Sequence, residues 1–178
     1  VEISPRVAEL AKQWAGDLRS DSDRPTEKQW ETDLQIARRF ERRLRQEYRY
    51  SLDLSDCNPD RDGVEDFLFH MKQGHCEYFA SALAVMLRAV GVRARVATGF
   101  HIDPASMTGD AYVVRKRHAH AWVEVYTPRT HWTVFDATPG APAAEERGWW
   151  ARLLDGYQDT RMWWYRHVVG YDSESQRT

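Results

Sequence analysis

The sequence predicts an α+β fold, because helical and strand patterns occupy separate stretches of the chain. Apolar residues recur at helical spacing over residues 7–48 and again over residues 79–90. Strands are predicted at residues 92–100, 111–115, 121–126 and 132–136, where short runs rich in β-branched and aromatic residues are separated by turn residues. A last helical pattern follows at residues 144–169. Helices segregated from a run of strands favour α+β architecture over alternating parallel units.

Composition excludes several classes of protein. The 178 residues carry 25 Lys plus Arg and 27 Asp plus Glu, a net charge of -2, so we expect no nucleic acid partner. Two cysteines are too few for a disulfide scaffold or a cysteine-rich zinc module. No run approaches the roughly 18 apolar residues of a membrane span. The chain starts at Val1 rather than Met, which indicates a segment excised from a longer protein.

Two helices are predicted near the N-terminus from their caps. Ser4-Pro5 combines a capping residue with proline at the first helical position, and Gly16 is a typical helix stop. Thr26-x-x-Gln29 has the form of a capping box. The second helix then carries an apolar stripe made of Trp30, Leu34, Ala37, Phe40, Leu44 and Tyr48. Arginines on its opposite face alternate with glutamates, which favours a solvated surface over a site for an acidic partner.

The acidic stretch at residues 53–66 imitates the start of a calcium loop. The loop spacing is matched at Asn58, Asp60, Asp62 and Gly63. Phe69 stands at the twelfth position, however, where such a loop needs a bidentate glutamate. We therefore expect a turn without a metal ion.

Cys76 is a candidate nucleophile. Gly74-His75-Cys76 leads directly into an apolar helix that Gly91 would end, so the thiol is expected at a helix N-terminus. Free N–H groups and the positive end of the helix dipole favour a thiolate there. On position alone, a buried structural cysteine is an equally good interpretation.

A predicted hairpin supplies a possible base and its partner. Strands are predicted at residues 121–126 and 132–136 with a short connection between them. A hairpin centred on Pro128 would put His120 directly opposite Asp136, with both side chains on one face. With Cys76, these residues would form a set of nucleophile, base and orienting carboxylate for acyl transfer.

Other candidate residues are weaker. Trp122, beside His120, could line a substrate channel, although packing is the commoner role of tryptophan. His118 and His120 could chelate a metal with Asp136 or Cys76, but no second spaced pair of ligands accompanies them, so we expect neither metal nor cofactor. Cys57 is interpreted as a bystander. The backbone N–H of Cys76 is a candidate oxyanion donor, and the sequence does not identify a second one.

Three ordered motifs resemble the transglutaminase-like superfamily. They are Gly-His-Cys-Glu-Tyr-Phe-Ala at residues 74–80, His-Ala-Trp-Val-Glu-Val-Tyr at 120–126 and Trp-Thr-Val-Phe-Asp-Ala-Thr-Pro at 132–139. The resemblance implies a papain-like fold, in which a helix carrying the cysteine packs on an antiparallel sheet carrying the histidine and the aspartate, with flanking helices. It also implies that Cys76 is the nucleophile, His120 the general base and acid, and Asp136 the residue that orients the imidazole.

The flanking segments are similar to a bacterial membrane-anchored subfamily. Tyr48-Arg-Tyr-Ser-Leu and Val64-Glu-Asp-Phe-Leu-Phe carry this likeness. The resemblance implies a periplasmic domain of an inner-membrane protein, anchored through segments that this sequence lacks. We expect residues 1–50 to form N-terminal helices, residues 51–140 the catalytic core and residues 141–178 a helical C-terminal arm, all within one structural domain.

The resemblance implies a protein-glutamine gamma-glutamyltransferase. In that reaction the cysteine attacks a glutamine carboxamide of a protein or peptide, and the thioester is transferred to a primary amine. Two other classes stay open. One is a cysteine peptidase, amidase or deamidase using the same three residues, with cell-wall peptides among its possible substrates. The other is a binding module that kept the fold, which would have no need for all three residues.

Overall fold

The computed structural model describes residues 3–18, 26–101, 107–108, 111–112, 114, 118–129 and 131–140. All of them belong to the compact unit Val1–Gly140, and the rest of the chain forms a second unit, Ala141–Thr178. The predicted helical arm lies outside the described residues. The division of the chain at residues 50 and 140 therefore stays a prediction.

Four α-helices and seven strands make up the described part of the chain. The helices are α1 (Pro5–Ala15), α2 (Glu27–Glu47), α3 (Gly63–Asp66) and α4 (Cys76–Ala89). The strands are β1 (Arg49–Tyr50), β2 (Gln73–Gly74), β3 (Ala94–Phe100), β4 (Met107–Thr108), β5 (Ala111–Tyr112), β6 (Ala119–Thr127) and β7 (His131–Phe135). A five-residue π-helical turn, Phe67–Met71, continues α3.

The predicted helix ends are confirmed, with one difference at Ser4. Thr26 caps α2 by accepting a hydrogen bond from the Gln29 N–H at 3.4 Å, and Gly16 follows α1 with φ of 61°. Gly91, with φ of 85°, lets the chain leave α4 in the left-handed conformation. Ser4 occupies the N-cap position, but its hydroxyl donates to Glu65 at 2.6 Å instead of capping α1. This bond joins the first helix to α3.

The core lies between α4 and the helices and strands around it. α4 packs against α1, α2 and the inner face of β6. That face of β6 buries Ala121, Val123 and Val125. Phe67, which is fully buried, contacts Tyr48, the residue after α2, and Phe79 of α4, with ring centroids 5.1 and 5.0 Å away. The helix that begins at the candidate cysteine is therefore packed against two helices and the main sheet.

The main sheet is antiparallel, in the order β3-β6-β7. Predicted strands at 92–100, 121–126 and 132–136 correspond to β3, β6 and β7, with small shifts at their ends. Of the strand predicted at 111–115, residues 111–112 pair with β4 as β5.

The predicted hairpin register is wrong. Thr127 pairs with His131 and Val123 with Phe135, so the hairpin is centred on Arg129 rather than Pro128. His131 adopts a positive φ of 57°, a conformation that closes hairpin loops longer than two residues. The resulting shift is even, so the side chains of His120 and Asp136 keep to one face of the sheet.

The acidic stretch forms turns, as predicted, and one short helix. Asp62 caps α3 by accepting hydrogen bonds from the N–H groups of Val64 and Glu65. Asp66 is buried. It accepts a hydrogen bond from the Asn58 N–H and forms an ion pair with Arg61 at 2.9 Å. The carboxylates of this loop are therefore used to organise the backbone.

Among the helices that the structure describes, none has the length and apolar character needed to cross a membrane.

Candidate active site

Cys76 is the first residue of α4. His75 precedes it in an extended conformation and its side chain does not cap the helix. Within the described part of the chain, the backbone N–H groups of Cys76 and Glu77 consequently have no hydrogen-bond acceptor. Two free donors and the positive end of the helix dipole lie at the residue that carries the thiol, an arrangement that favours a thiolate and can stabilise an oxyanion.

A short parallel pairing fixes the chain just before the cysteine. Gly74 of β2 pairs with Tyr50 of β1, and the Ser51 N–H donates to the Gly74 carbonyl at 2.9 Å. A Cβ atom on Gly74 would lie only 3.0 Å from the ring of Tyr78, so glycine allows this ring to pack against the backbone. The pairing and the ring together determine where α4 begins.

His120 and Asp136 are joined by a hydrogen bond. His120 Nε2 lies 2.7 Å from Asp136 Oδ2, and the two side chains are 19% and 32% exposed. They are diagonal neighbours on the same face, since β6 and β7 pair in the register described above. The sequence thus predicted the contact correctly, although it predicted the wrong pairing for it.

Two further hydrogen bonds hold Asp136, one at its carboxylate and one at its backbone. Its Oδ1 accepts a hydrogen bond from the Thr138 N–H at 2.9 Å, and its backbone N–H donates to Glu41 of α2 at 3.0 Å. Partial burial raises the pKa of Asp136, but the hydrogen bonds from His120 and Thr138 outweigh it and hold that pKa below its ordinary value. An ionised carboxylate can only accept, so the proton is on His120 Nε2 and Nδ1 is left as the basic nitrogen.

Cys76 and His120 line one cleft, with a volume of about 330 Å³. Its described lining consists of Cys76, Glu77, Thr98, Gly99, Phe100, Ala119 and His120. The helix N-terminus and the edge of the sheet therefore meet at this cleft. It brings together the candidate nucleophile and the candidate base, with Asp136 behind the base.

The remaining candidates take other positions. Trp122 lies beside His120 with its ring nearly parallel, and it is not among the described residues that line the cleft. Cys57 is a free thiol whose sulfur lies 3.8 Å from the Tyr78 hydroxyl. Glu41, which anchors Asp136, was missed, because nothing in the pattern of charges on α2 distinguishes it from its solvated neighbours.

The described residues contain no group of three or more His, Cys, Asp or Glu side chains that could hold a metal ion. The described residues at the cleft offer a thiol at the start of a helix and an imidazole that is hydrogen-bonded to a carboxylate. Such a set suits nucleophilic attack on a carbonyl carbon.

Comparisons with known proteins find similar sequences in two bacteria. The chain is 40% identical over 85 residues to the uncharacterized protein YebA of Bacillus subtilis and 41% identical over 88 residues to a protein-glutamine gamma-glutamyltransferase of Pseudomonas aeruginosa. These matches cover 46% and 49% of the chain, but only 12% and 13% of the relatives.

Solved structures of the periplasmic domain of TgpA from Pseudomonas aeruginosa, one of them bound to ethylmercury, share the fold. Both superpose with a TM-score of 0.55 at 29% identity over 77% of this chain, which spans 45% and 43% of the solved chains. This similarity confirms the predicted transglutaminase-like α+β fold. The sequence model of the transglutaminase-like superfamily matches residues 22–137, and the chain therefore belongs to that superfamily.

Proposed function

We propose that the protein is an acyltransferase that uses Cys76, His120 and Asp136 to transfer the acyl group of a glutamine side chain to a primary amine. One observation carries the proposal. His120, which is hydrogen-bonded to Asp136, lines the same cleft as a cysteine at a helix N-terminus. The membership of the superfamily and the 41% identity to a protein-glutamine gamma-glutamyltransferase support the choice of glutamine as acyl donor.

In the first half-reaction the Cys76 thiol gives its proton to His120 Nδ1, and the sulfur attacks the carboxamide carbon of the donor. The developing oxyanion accepts hydrogen bonds from the N–H groups of Cys76 and Glu77. The C–N bond then breaks, and ammonia leaves with a proton from the imidazolium of His120. A thioester on Cys76 remains.

In the second half-reaction a primary amine attacks the thioester carbon. His120 Nδ1 takes the proton of the amine, the C–S bond breaks and the thiolate is restored. Asp136 keeps the imidazole in one tautomer throughout and stabilises its charged form. The products are an isopeptide bond and free enzyme.

Hydrolysis is the second candidate reaction. The His120 side chain is 19% exposed and Cys76 is partly exposed, so the cleft admits water as well as an amine. Water in place of the amine would make the same residues a deamidase. Attack on a backbone amide instead of a side-chain carboxamide would make them a cysteine peptidase, with cell-wall peptides as one substrate class.

The proposed location is extracytoplasmic. The similarity to a periplasmic domain supports it. We further propose that the parent protein is anchored in the bacterial inner membrane through segments outside this sequence, so that donor and acceptor proteins are met on the periplasmic side.

Incorporation of a labelled primary amine into a glutamine-rich protein tests the proposal. We expect incorporation by the wild type, none by Cys76→Ala, and nearly full incorporation by the matched control Cys57→Ala. Absence of incorporation by the wild type, together with release of ammonia from the glutamine donor, would replace transfer by deamidation. Equal incorporation by wild type and Cys76→Ala would refute the assigned nucleophile.

A further inference from the structure

The outer face of the sheet carries a chain of contacts that ends on His120. His120 and Trp122 alternate on β6 and so project from the same face. Their ring centroids are 6.3 Å apart and their planes are inclined by 29°, an offset and nearly parallel arrangement. Trp122 therefore lies along a face of the imidazole, whereas Asp136 binds its edge at Nε2.

Gly99 provides the space in which the indole lies. It pairs directly with His120 across β3 and β6. A Cβ atom on Gly99 would lie 2.8 Å from Trp122 Cη2, closer than real contacts allow, and 3.3 Å from Cζ3, which is a tight contact. The indole thus covers the backbone opposite His120, in the place that a side chain at residue 99 would otherwise take.

The other end of the indole is held by a charged pair. Trp122 Nε1 donates to Glu124 Oε1 at 3.5 Å, and Glu124 Oε2 accepts from Arg95 at 2.8 and 2.7 Å. The Arg95 guanidinium stacks on Trp132 at 3.7 Å from the ring centroid. Glu124 is 17% exposed, so this carboxylate is a partly shielded anchor for the indole N–H.

From these contacts we propose that Trp122 is a positioning residue for His120 rather than a wall of the substrate channel. The Asp136 hydrogen bond alone leaves the imidazole free to swing about the N–O direction. Trp122, held by Gly99 and Glu124, restricts that motion and keeps Nδ1 in the orientation that the reaction with Cys76 requires. The inference rests on the proposed function, because it assigns the imidazole a reaction to be positioned for.

The first test compares kcat, KM and the rate at which iodoacetamide alkylates Cys76. Trp122→Leu is expected to lower kcat by about 10- to 100-fold, the effect of a misplacement near 1 Å, with KM changed by less than about 2-fold. Alkylation of Cys76 is expected to slow as well. Trp122→Phe keeps an aromatic face and should retain most activity. Trp30→Leu, a tryptophan control on α2 outside this chain of contacts, should change kcat by less than about 2-fold.

A double-mutant cycle provides the second test. Gly99→Ala should lower kcat in the wild type because the new methyl group displaces the indole. In Trp122→Phe the loss should largely disappear, because a phenyl ring does not reach the positions of Cη2 and Cζ3. This cycle remains informative when Trp122→Leu does not fold, which circular dichroism would show.

Three results would overturn the inference. They are a rise in KM at constant kcat in Trp122→Leu, unchanged alkylation of Cys76 in that variant, or an equal loss from Gly99→Ala in both backgrounds. Failure of the proposed function would look different. The wild type would then incorporate no amine, while the alkylation rates would still separate Trp122→Leu from its Trp30→Leu control.

Discussion

Asp136→Asn isolates the contribution of one carboxylate to the proposed reaction. Asp136 has two oxygens, and each accepts one N–H, from His120 Nε2 at 2.7 Å and from Thr138 at 2.9 Å. Asparagine has only one oxygen, so one of these donors must face an NH₂ group. If the amide oxygen stays with Thr138, Nε2 of His120 must become an acceptor. The imidazole proton then moves to Nδ1, and the nitrogen that should act as base is lost.

The size of the effect follows from the type of bond that is removed. A hydrogen bond to a charged group contributes about 1.5–3 kcal/mol, which corresponds to about 10- to 150-fold in rate. Asp136 is 32% exposed, so the electrostatic loss alone should lie toward the lower end, and the wrong tautomer adds to it. We therefore expect kcat/KM for amine incorporation to fall by at least about 10-fold.

The assay compares kcat/KM of the wild type, Asp136→Asn and Asp60→Asn. Asp60 is exposed and its one described hydrogen bond is from its backbone N–H to Asn58, so its variant makes the same change of charge without touching the His120–Asp136 pair and should be as active as the wild type. Activity of Asp136→Asn within about 3-fold of the wild type would refute the view that this carboxylate sets the tautomer of His120.

Four further predictions concern stability and metal ions. Phe67→Ala empties a fully buried aromatic site and should lower the free energy of unfolding by about 3–5 kcal/mol in urea titrations; a change below about 1 kcal/mol would contradict the packing described. Gly74→Ala should lower the free energy of unfolding by about 1–3 kcal/mol, because the new Cβ would lie 3.0 Å from Tyr78 Cγ, close to that residue's backbone. An unchanged free energy of unfolding would show that the Tyr78 ring can move. Hydrogen bonds from the Asn58 N–H and Arg61 lower the pKa of Asp66 in the folded protein. The ionised carboxylate therefore stabilises the fold at pH values above its pKa in the unfolded chain, which is about 3.9. This stabilisation is lost as the pH falls through the lower pKa of the folded state. Asp66→Asn should therefore be less stable than the wild type at pH near 7, with the difference vanishing in acid, and a difference that persists there would contradict this linkage. Chelation with EDTA should leave amine incorporation unchanged, whereas its abolition would show that the reaction needs a metal.

Local signals in the sequence were enough to predict α1, α2 and α4 and the contact between the base and its carboxylate. Caps such as Thr26 and glycines such as Gly91 act within one turn, so their effects can be read from neighbouring residues. Side chains alternate between the two faces of a sheet from one residue to the next. An error of two in the sum of the paired residue numbers therefore leaves His120 and Asp136 on the same face. The predicted contact is correct for this reason, although the predicted pairing is wrong.

The features that the sequence did not predict depend on residues far apart in the chain. The parallel pairing of Tyr50 with Gly74 joins two segments of two residues each, too short to show a pattern. The π-helical turn at Phe67–Met71 adds a residue within an ordinary apolar helix sequence. Glu41 reaches Asp136 only because α2 crosses the end of β7, and Gly99 makes room for Trp122 only once β3 and β6 are in register.

Mass spectrometry of the acyl-enzyme tests the central proposal most directly. After mixing with a glutamine-containing peptide and rapid acid quenching, Cys76 should carry the whole peptide less one ammonia. The adduct should be lost on addition of a primary amine, persist in Cys57→Ala and be absent from Cys76→Ala. An adduct formed by only the N-terminal fragment of the peptide would show cleavage of the backbone, and would contradict transfer from a glutamine side chain.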